Sequence, residues 1–414
     1  MTCADQVVPI AAGVIKKLRS LPPDEVFEEA KLPVRTPVEN GVSFSLQVKR
    51  RIRLGLAERF REVTREVGEL VAAHHDLTPL IQDAGITLSS DVETAGIRFL
   101  SRLVDAVIGR EESFPRQPTP RLRRICLAFE SQLATGGVDV DWLYPLPGFG
   151  LAARVRLSPD VEIRDITPSD FEALYYSAVA GISAQQLMMQ TPSVLAIRAR
   201  IQMPFGRTLR ENADTLHKLA VAMMLSALPL PIIVTSWAEP REPSLYQVQQ
   251  SQWFMSSLLF FPPIMLDAER LKRLKAVYRK VNVCSADVLE SVPMRRAVAA
   301  AGRGSLEDRL IDTWIALEAL LLLKDEKSDI LYRMVNRASR LVRPPELAAF
   351  RKLISKGYDD RSRLVHGARR EMNEESLDRL KRVTGVLRHI LLCAVIKNEL
   401  PDPVGIDEAM LRRR

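Results

Sequence analysis

Residues 309–322 read RLIDTWIALEALLL, and some forty positions on, residues 358–370 read YDDRSRLVHGARR. The first stretch is almost wholly apolar from Thr313 to Leu323, yet Glu318 stands in its middle. On a helix at about 100° per residue, Leu322, Ile315, Ile311, Trp314 and Leu321 all fall within about 60° of Glu318. Glu318 therefore centres the apolar face, and Asp308 and Asp312 fall toward the other side. An ionised carboxylate on a packed face is costly unless a cation meets it. Three readings follow: a buried cationic partner, a face that lines a cleft, or an incidental Glu in a loosely packed helix.

The second stretch supplies cations. Arg361, Arg363 and His366 crowd together, with Asp359 or Asp360 placed to cap a short helix and Gly367 to end it. Histidine exchanges protons near neutral pH, and the arginine fork suits phosphate. Such a pair fits RNA cleavage without a metal. A base takes the 2′-hydroxyl proton, an acid protonates the leaving 5′-oxygen, and a guanidinium stabilises the charge on the phosphorane. An Arg followed by His with four to six residues between is not rare. With 45 Arg and 5 His in 414 residues, chance gives about 1.6 such pairs, and the chain has three. Context separates them. His389 lies in an apolar run, His217 leads into an uncharged segment, and His366 is followed by Gly367 and flanked by arginines.

Working outward, the chain is 47% hydrophobic and 27% charged, which excludes global disorder. Its four cysteines, Cys3, Cys126, Cys284 and Cys393, form neither a disulfide framework nor a CxxC motif. The pI of 9.4 and net charge of +8 hint at an acidic partner. Arginine outnumbers lysine 45 to 14, which suits phosphate binding, although a GC-rich genome explains the same excess. Between Arg333 and Arg370, eleven basic residues face three acids, a local balance of +8 equal to that of the whole chain. Nucleotide and metallohydrolase motifs (GxxxxGK[ST], GxGxxG, HExxH) and the GxSxG elbow are absent, and His74–His75–Asp76 reads as a polar helix end. We expect no cofactor and no metal.

The N-terminus lacks a basic region before its apolar stretch, so it does not read as a signal peptide. Leu219–Ala238 is uncharged over twenty residues, but Pro229 and Pro231 interrupt it. Helix, turn and strand account for it better than a membrane span. The expected location is the cytoplasm.

The expected fold is mainly α with a central α+β region. Residues 1–140 read as a mainly helical domain, with a helical stripe at Ile52, Leu56, Phe60, Val63 and Val67. The proline-rich stretches 113–121 and 144–150 read as loops. Residues 141–290 read as an α+β domain, with strand alternation at 153–157 and 195–201 and a helix in SDFEALYYSAVAGI. Residues 291–414 read as a helical bundle. Expected helices from residue 267 on are 267–280, 305–324, 328–342, 345–356 and 373–398.

RLIDTWIALEALLL (309–322), YRMVNRASRLV (332–342) and YDDRSRLVHG (358–367) resemble, in order and spacing, the Apea-like branch of the HEPN superfamily. The resemblance covers about 300–398. It implies a HEPN-type C-terminal helical bundle and metal-independent endoribonuclease chemistry on single-stranded RNA, with Arg361 and His366 as the catalytic pair. Glu318 would orient one of them, and Arg363, Arg369 and Arg370 would bind RNA. It also implies homodimerisation that joins two such motifs, and a prokaryotic anti-phage defence or toxin role, with a phage-derived or regulatory protein as trigger. Ser362 follows the motif Arg where many HEPN nucleases carry Asn, Asp or His, and Ser is usual in the Apea-like branch. A non-catalytic interaction or RNA-binding module remains the alternative.

Overall fold

A computed structural model describes residues 3–21, 27–38, 41–52, 117–135, 137–146, 149–165, 193–202, 208–230, 236–240, 248–250, 264–326, 328–366 and 373–411, with a few single positions besides. Among these residues the chain is mostly helical, with eleven helices and a smaller β region. That matches a mainly α chain with some β. None of the described helices is long and apolar enough to cross a membrane.

The chain falls into two compact units. The first comprises Met1–Arg154, Pro159–Glu211 and Ile232–Met265. In it α1 (Cys3–Ser20) buries Val7, Ala11, Val14, Ile15 and Leu18, a stripe at helical spacing. It packs on α2 (Pro118–Ala134), which buries Leu122, Ile125 and Cys126. Proline at the start of α2 costs no hydrogen bond, because the first N–H groups of a helix have no intrahelical acceptor. Residues 118–121, read as part of a loop, thus begin a helix, and 113–116 lie outside the described residues.

Strands β1 (Phe27–Val38) and β2 (Gly41–Ile52) form an antiparallel hairpin with Phe27 opposite Ile52. Ile52, expected to open a helical stripe, instead ends a strand, and the mainly helical reading of residues 1–140 left this hairpin out. The overlooked signal has period two: Val42, Phe44, Leu46 and Val48 alternate with Ser43, Ser45, Gln47 and Lys49. The rest of the expected helical stripe, His74–His75–Asp76 and the SDFEALYYSAVAGI segment lie outside the described residues.

The main sheet is built on β3 (Gly137–Leu146), which pairs antiparallel with both β7 (Ser193–Gln202) and β8 (Ser236–Pro240). Between β3 and β7 run β4 (Phe149–Leu151), β5 (Val155–Arg156) and β6 (Val161–Asp165). β6 adds to β7, and β9 (Val248–Gln250) adds to β8. The alternation at 195–201 is strand β7, as expected. The 144–150 stretch, read as a loop, instead holds the end of β3 and the start of β4. Asp141 stands opposite Arg198 in the register, and their side chains pair at 3.8 Å.

The second unit comprises Val155–Ser158, Asn212–Pro231 and Leu266–Arg414. Residues 266–290 therefore sit with the helices that follow, not with the sheet. Leu219–Ala238 resolves as expected, with α3 (Thr208–Leu225), a turn at Ser226–Ala227 and strand β8. The short strand β10 (Ile264–Leu266) precedes the helices. These are α4 (Ala268–Asn282), α5 (Ala286–Leu289), α6 (Val292–Gly302), α7 (Leu306–Leu321), α8 (Ile330–Val342), α9 (Leu347–Val365), α10 (Glu374–Lys397) and α11 (Pro403–Leu411). Side-chain caps start several of them. Asp267, Ser291, Ser305 and Asn373 each accept from a backbone N–H in the first turn.

One departure positions the site. Gly357 was expected to break the chain, with a separate short helix after it. Instead α9 runs unbroken for 19 residues through Gly357 to Val365. The glycine serves packing: a Cβ there would lie 3.0 Å from Trp314 Cζ2 and 3.2 Å from Val383 Cγ2. Its absence lets α9 lie close against α7 and α10.

The α7–α8 connection is locked by a guanidinium. Arg337 on α8 is 1% exposed. It donates to Leu321 O (2.6 Å), to both Glu326 oxygens (2.6 and 2.7 Å) and to both Asp407 oxygens (3.0 and 2.5 Å). Arg333 adds a second contact to Glu326 at 2.8 Å. The hydrogen bonds from Arg337 hold the Glu326 carboxyl at about 2, well below its ordinary 4.5. Helix α11 buries none of its residues, and Asp407 ties it to α8. Arg337→Met should lower stability by about 3–5 kcal/mol, because two carboxylates lose their buried cation; thermal unfolding would measure it. Glu326 has a depressed folded-state pKa, so its stabilisation is complete above about 4.5 and lost as pH falls toward 2. Wild type should therefore lose stability across that window, and the Arg337→Met protein should lose less of it.

Candidate functional site

The site is assembled where α7 meets α9. Ser305 starts α7 with its hydroxyl on Asp308 N–H, and Leu310, Trp314, Leu317 and Leu321 bury one side of the helix. Glu318 is not at the centre of that buried arc, as the wheel suggested. It lies at its border: its side chain is 25% exposed, and Ile311, Ile315 and Leu322 around it are half-buried. The deeper carboxylate is Asp312, 3% exposed, which was expected to point away. Arg296 on α6 and Arg303 after it hold Asp312 at 2.9 and 3.1 Å. This ion pairing let a charge sit where the apolar pattern foresaw none.

Glu318 does meet a cation, and it is Arg361. Arg361 Nη2 lies 3.4 Å from Glu318 Oε1 and 3.5 Å from Oε2. The guanidinium also stands 5.8 Å from the centroid of the Tyr358 ring, which in turn packs edge-on against Trp314 at 5.5 Å. Arg361 Nε is buried with no hydrogen-bond partner, an arrangement that costs about 1–3 kcal/mol and leaves a donor in reserve. Burial pushes the Glu318 carboxyl above its ordinary range, and the Arg361 charge counters part of that rise. The sequence reading missed Tyr358 and Trp314 as supports. Tyr358 stands three residues before Arg361, a spacing that places two side chains together on a helix.

His366 is elsewhere. It forms the exposed C-cap of α9, its backbone N–H donating to Ser362 O. Five residues separate it from Arg361, about 140° around the helix, so one chain does not stack the two on one face. Arg363 is exposed, in the last turn of the same helix. Arg369 and Arg370 lie outside the described residues.

The basic stretch is less free than its count suggests. Arg333, Arg337 and Arg361 are paired with carboxylates, and Lys356 reaches Glu375 at 3.7 Å. Arg343, Arg351, Lys352 and Arg363 are exposed. Asp360 is engaged by Arg379 of α10 at 2.7 Å, so it ties α9 to α10 instead of capping a helix. No group of three or more His, Cys, Asp or Glu among the described residues is placed to hold a metal ion.

Chemically, the site offers a guanidinium fixed by a carboxylate and an aromatic ring, and an imidazole open to solvent at the helix end. No protein-family model, curated protein or solved structure matches this chain.

Arg361→Met should leave half-buried Glu318 without its cation and destabilise the fold. Glu318→Leu together with Arg361→Met should recover most of that loss, because both charges leave together. Denaturant unfolding of the two singles and the double should give a coupling of about 1–2 kcal/mol.

Proposed function

We propose that this protein is a metal-independent endoribonuclease of HEPN type that cleaves single-stranded RNA. The observation that carries this reading is the exposed His366 on the same helix as an Arg361 oriented by Glu318. The succession of α7, α8, α9 and α10, each thirteen residues or longer, supports a HEPN-type bundle around the motif. His366 acts as general acid/base, and Arg361 stabilises the charge on the phosphorane. Glu318 is a positioning residue that acts through Arg361, and Arg363, Arg369 and Arg370 contact the RNA backbone. Because Arg361 and His366 diverge by about 140° within one chain, a two-fold partner completes the site with its own pair. The setting is the cytoplasm of a prokaryote, in anti-phage defence or growth arrest, with a phage-derived or regulatory protein as trigger.

One observation favours a second reading. The Arg361 guanidinium is already occupied by Glu318 and Tyr358, which suits a polar network in a non-catalytic interaction or RNA-binding module.

Incubation of purified protein with a mixed RNA pool separates the two. Wild type should cut RNA with or without chelator and leave 2′,3′-cyclic phosphate ends. His366→Ala should abolish cleavage at unchanged thermal stability, since the side chain is exposed. Undiminished cleavage by His366→Ala would sink the assignment.

A further inference from the structure

Helices α8 and α9 flank an open groove of about 550 Å³ that includes neither Glu318 nor Arg361. It is lined by Asp329, Ile330, Leu331, Tyr332, Val335, Asn336, Arg351 and Ser355. Its composition is unusual for a packing defect. Tyr332 is 69% exposed, and its ring is one of the largest apolar surfaces presented to solvent. Arg351 Nη2 approaches Asn336 Oδ1 at 3.5 Å, so the Asn336 amide N–H₂ remains to donate. Asp329 begins α8 in the left-handed conformation, φ 55°, and its carboxylate makes no cap hydrogen bond. An aromatic face, an exposed guanidinium, an amide donor and a carboxylate acceptor thus share one groove.

The groove is also aligned with the catalytic end of α9. Arg351 and Ser355 are one turn apart. Ser355 and His366 are eleven residues apart, about 16 Å along the axis and about 20° around it. By helical spacing, the groove and position 366 therefore fall on the same side of α9. Exposed Lys352 and Arg363 flank that side. Asp359 also lies on it, four residues before Arg363, a spacing at which a helix pairs opposite charges.

We propose that this groove is a nucleobase subsite for single-stranded RNA. A base stacks on Tyr332, Asn336 and Asp329 meet its polar edge as donor and acceptor, and Arg351 holds the adjoining phosphate. Unpaired bases are recognised in this way, by stacking on aromatic side chains with hydrogen bonds to their edges. The volume suits one nucleotide rather than a helix of a partner protein. The local excess of exposed cations matches a polyanion. The inference deepens the nuclease reading: it names where the substrate is gripped, a few nucleotides from the point of cleavage.

The test uses the full chain in a His366→Ala background, which removes cutting, and a short fluorescein-labelled single-stranded RNA of mixed sequence. Tyr332→Ala should weaken binding roughly ten-fold or more, whereas Tyr332→Phe should stay within about two-fold, because stacking needs the ring and not the hydroxyl. Arg351→Ala should weaken binding and lower the salt dependence by about one phosphate contact. The same strand annealed into a duplex should bind more weakly, since its bases are unavailable. Binding by Tyr332→Ala equal to its parent overturns the subsite, as does equal loss in Ala and Phe variants, or no binding of the strand at all. Cleavage is scored separately in the wild-type background. A binding defect without cleavage by any variant retains the subsite and ends the nuclease reading. Cleavage that depends on His366 with Tyr332 irrelevant to binding does the reverse.

Discussion

Five hydrogen bonds from one guanidinium hold the helical unit in register. Arg337 reaches the last turn of α7 through Leu321 O, the α7–α8 connection through Glu326, and α11 through Asp407. A cation that is 1% exposed is tolerable only if every donor is matched, and here all of its N–H-bearing nitrogens are. The junction thus ties α7, which carries Glu318, to α8, which carries Tyr332. Its three partners lie 16, 11 and 70 residues away, so no local propensity could assemble it.

The same logic recurs at lower stakes. Asp312 is held by Arg296 and Arg303, Asp360 by Arg379, and Glu318 by Arg361. Each joins different helices, so the second unit is stitched by ion pairs laid over an apolar core of Trp314, Leu317, Leu353 and Leu387. The Glu318–Arg361 contact is the loosest of them, at 3.4 Å, and about a quarter of each side chain is exposed. Beside it, the buried Arg361 Nε has no hydrogen-bond partner.

Much of the second unit was legible in the sequence. The helices at 305–324, 328–342 and 373–398 follow from period and caps, and their bounds fall within a few residues of those observed. Of the three readings the pattern left for Glu318, the structure shows the cationic partner, and it is Arg361. The failures have physical causes. Gly357 reads as a breaker by propensity, but tertiary contact with Trp314 overrides a preference of about 1 kcal/mol. Burial of Asp312 was invisible because a helical wheel knows nothing of two arginines on a neighbouring element. The hairpin at 27–52 is masked in the sequence because Ile52 belongs both to its period-two run and to a run of helical spacing that continues to Val67. The groove left no sequence signature, since its lining comes from two helices and its key residue, Tyr332, reads as one exposed aromatic.

The close approach at Gly357 reaches further than packing. Trp314 and Glu318 are one turn apart on α7, and Gly357 and Arg361 are one turn apart on α9. The close contact at Gly357 and the ion pair between the two helices are thus successive rungs of one ladder. The width of the first rung sets the length of the second. A residue with no side chain at all therefore acts as the gauge for the field around Arg361, and drift at position 357 would retune the electrostatics of the site without touching a charge.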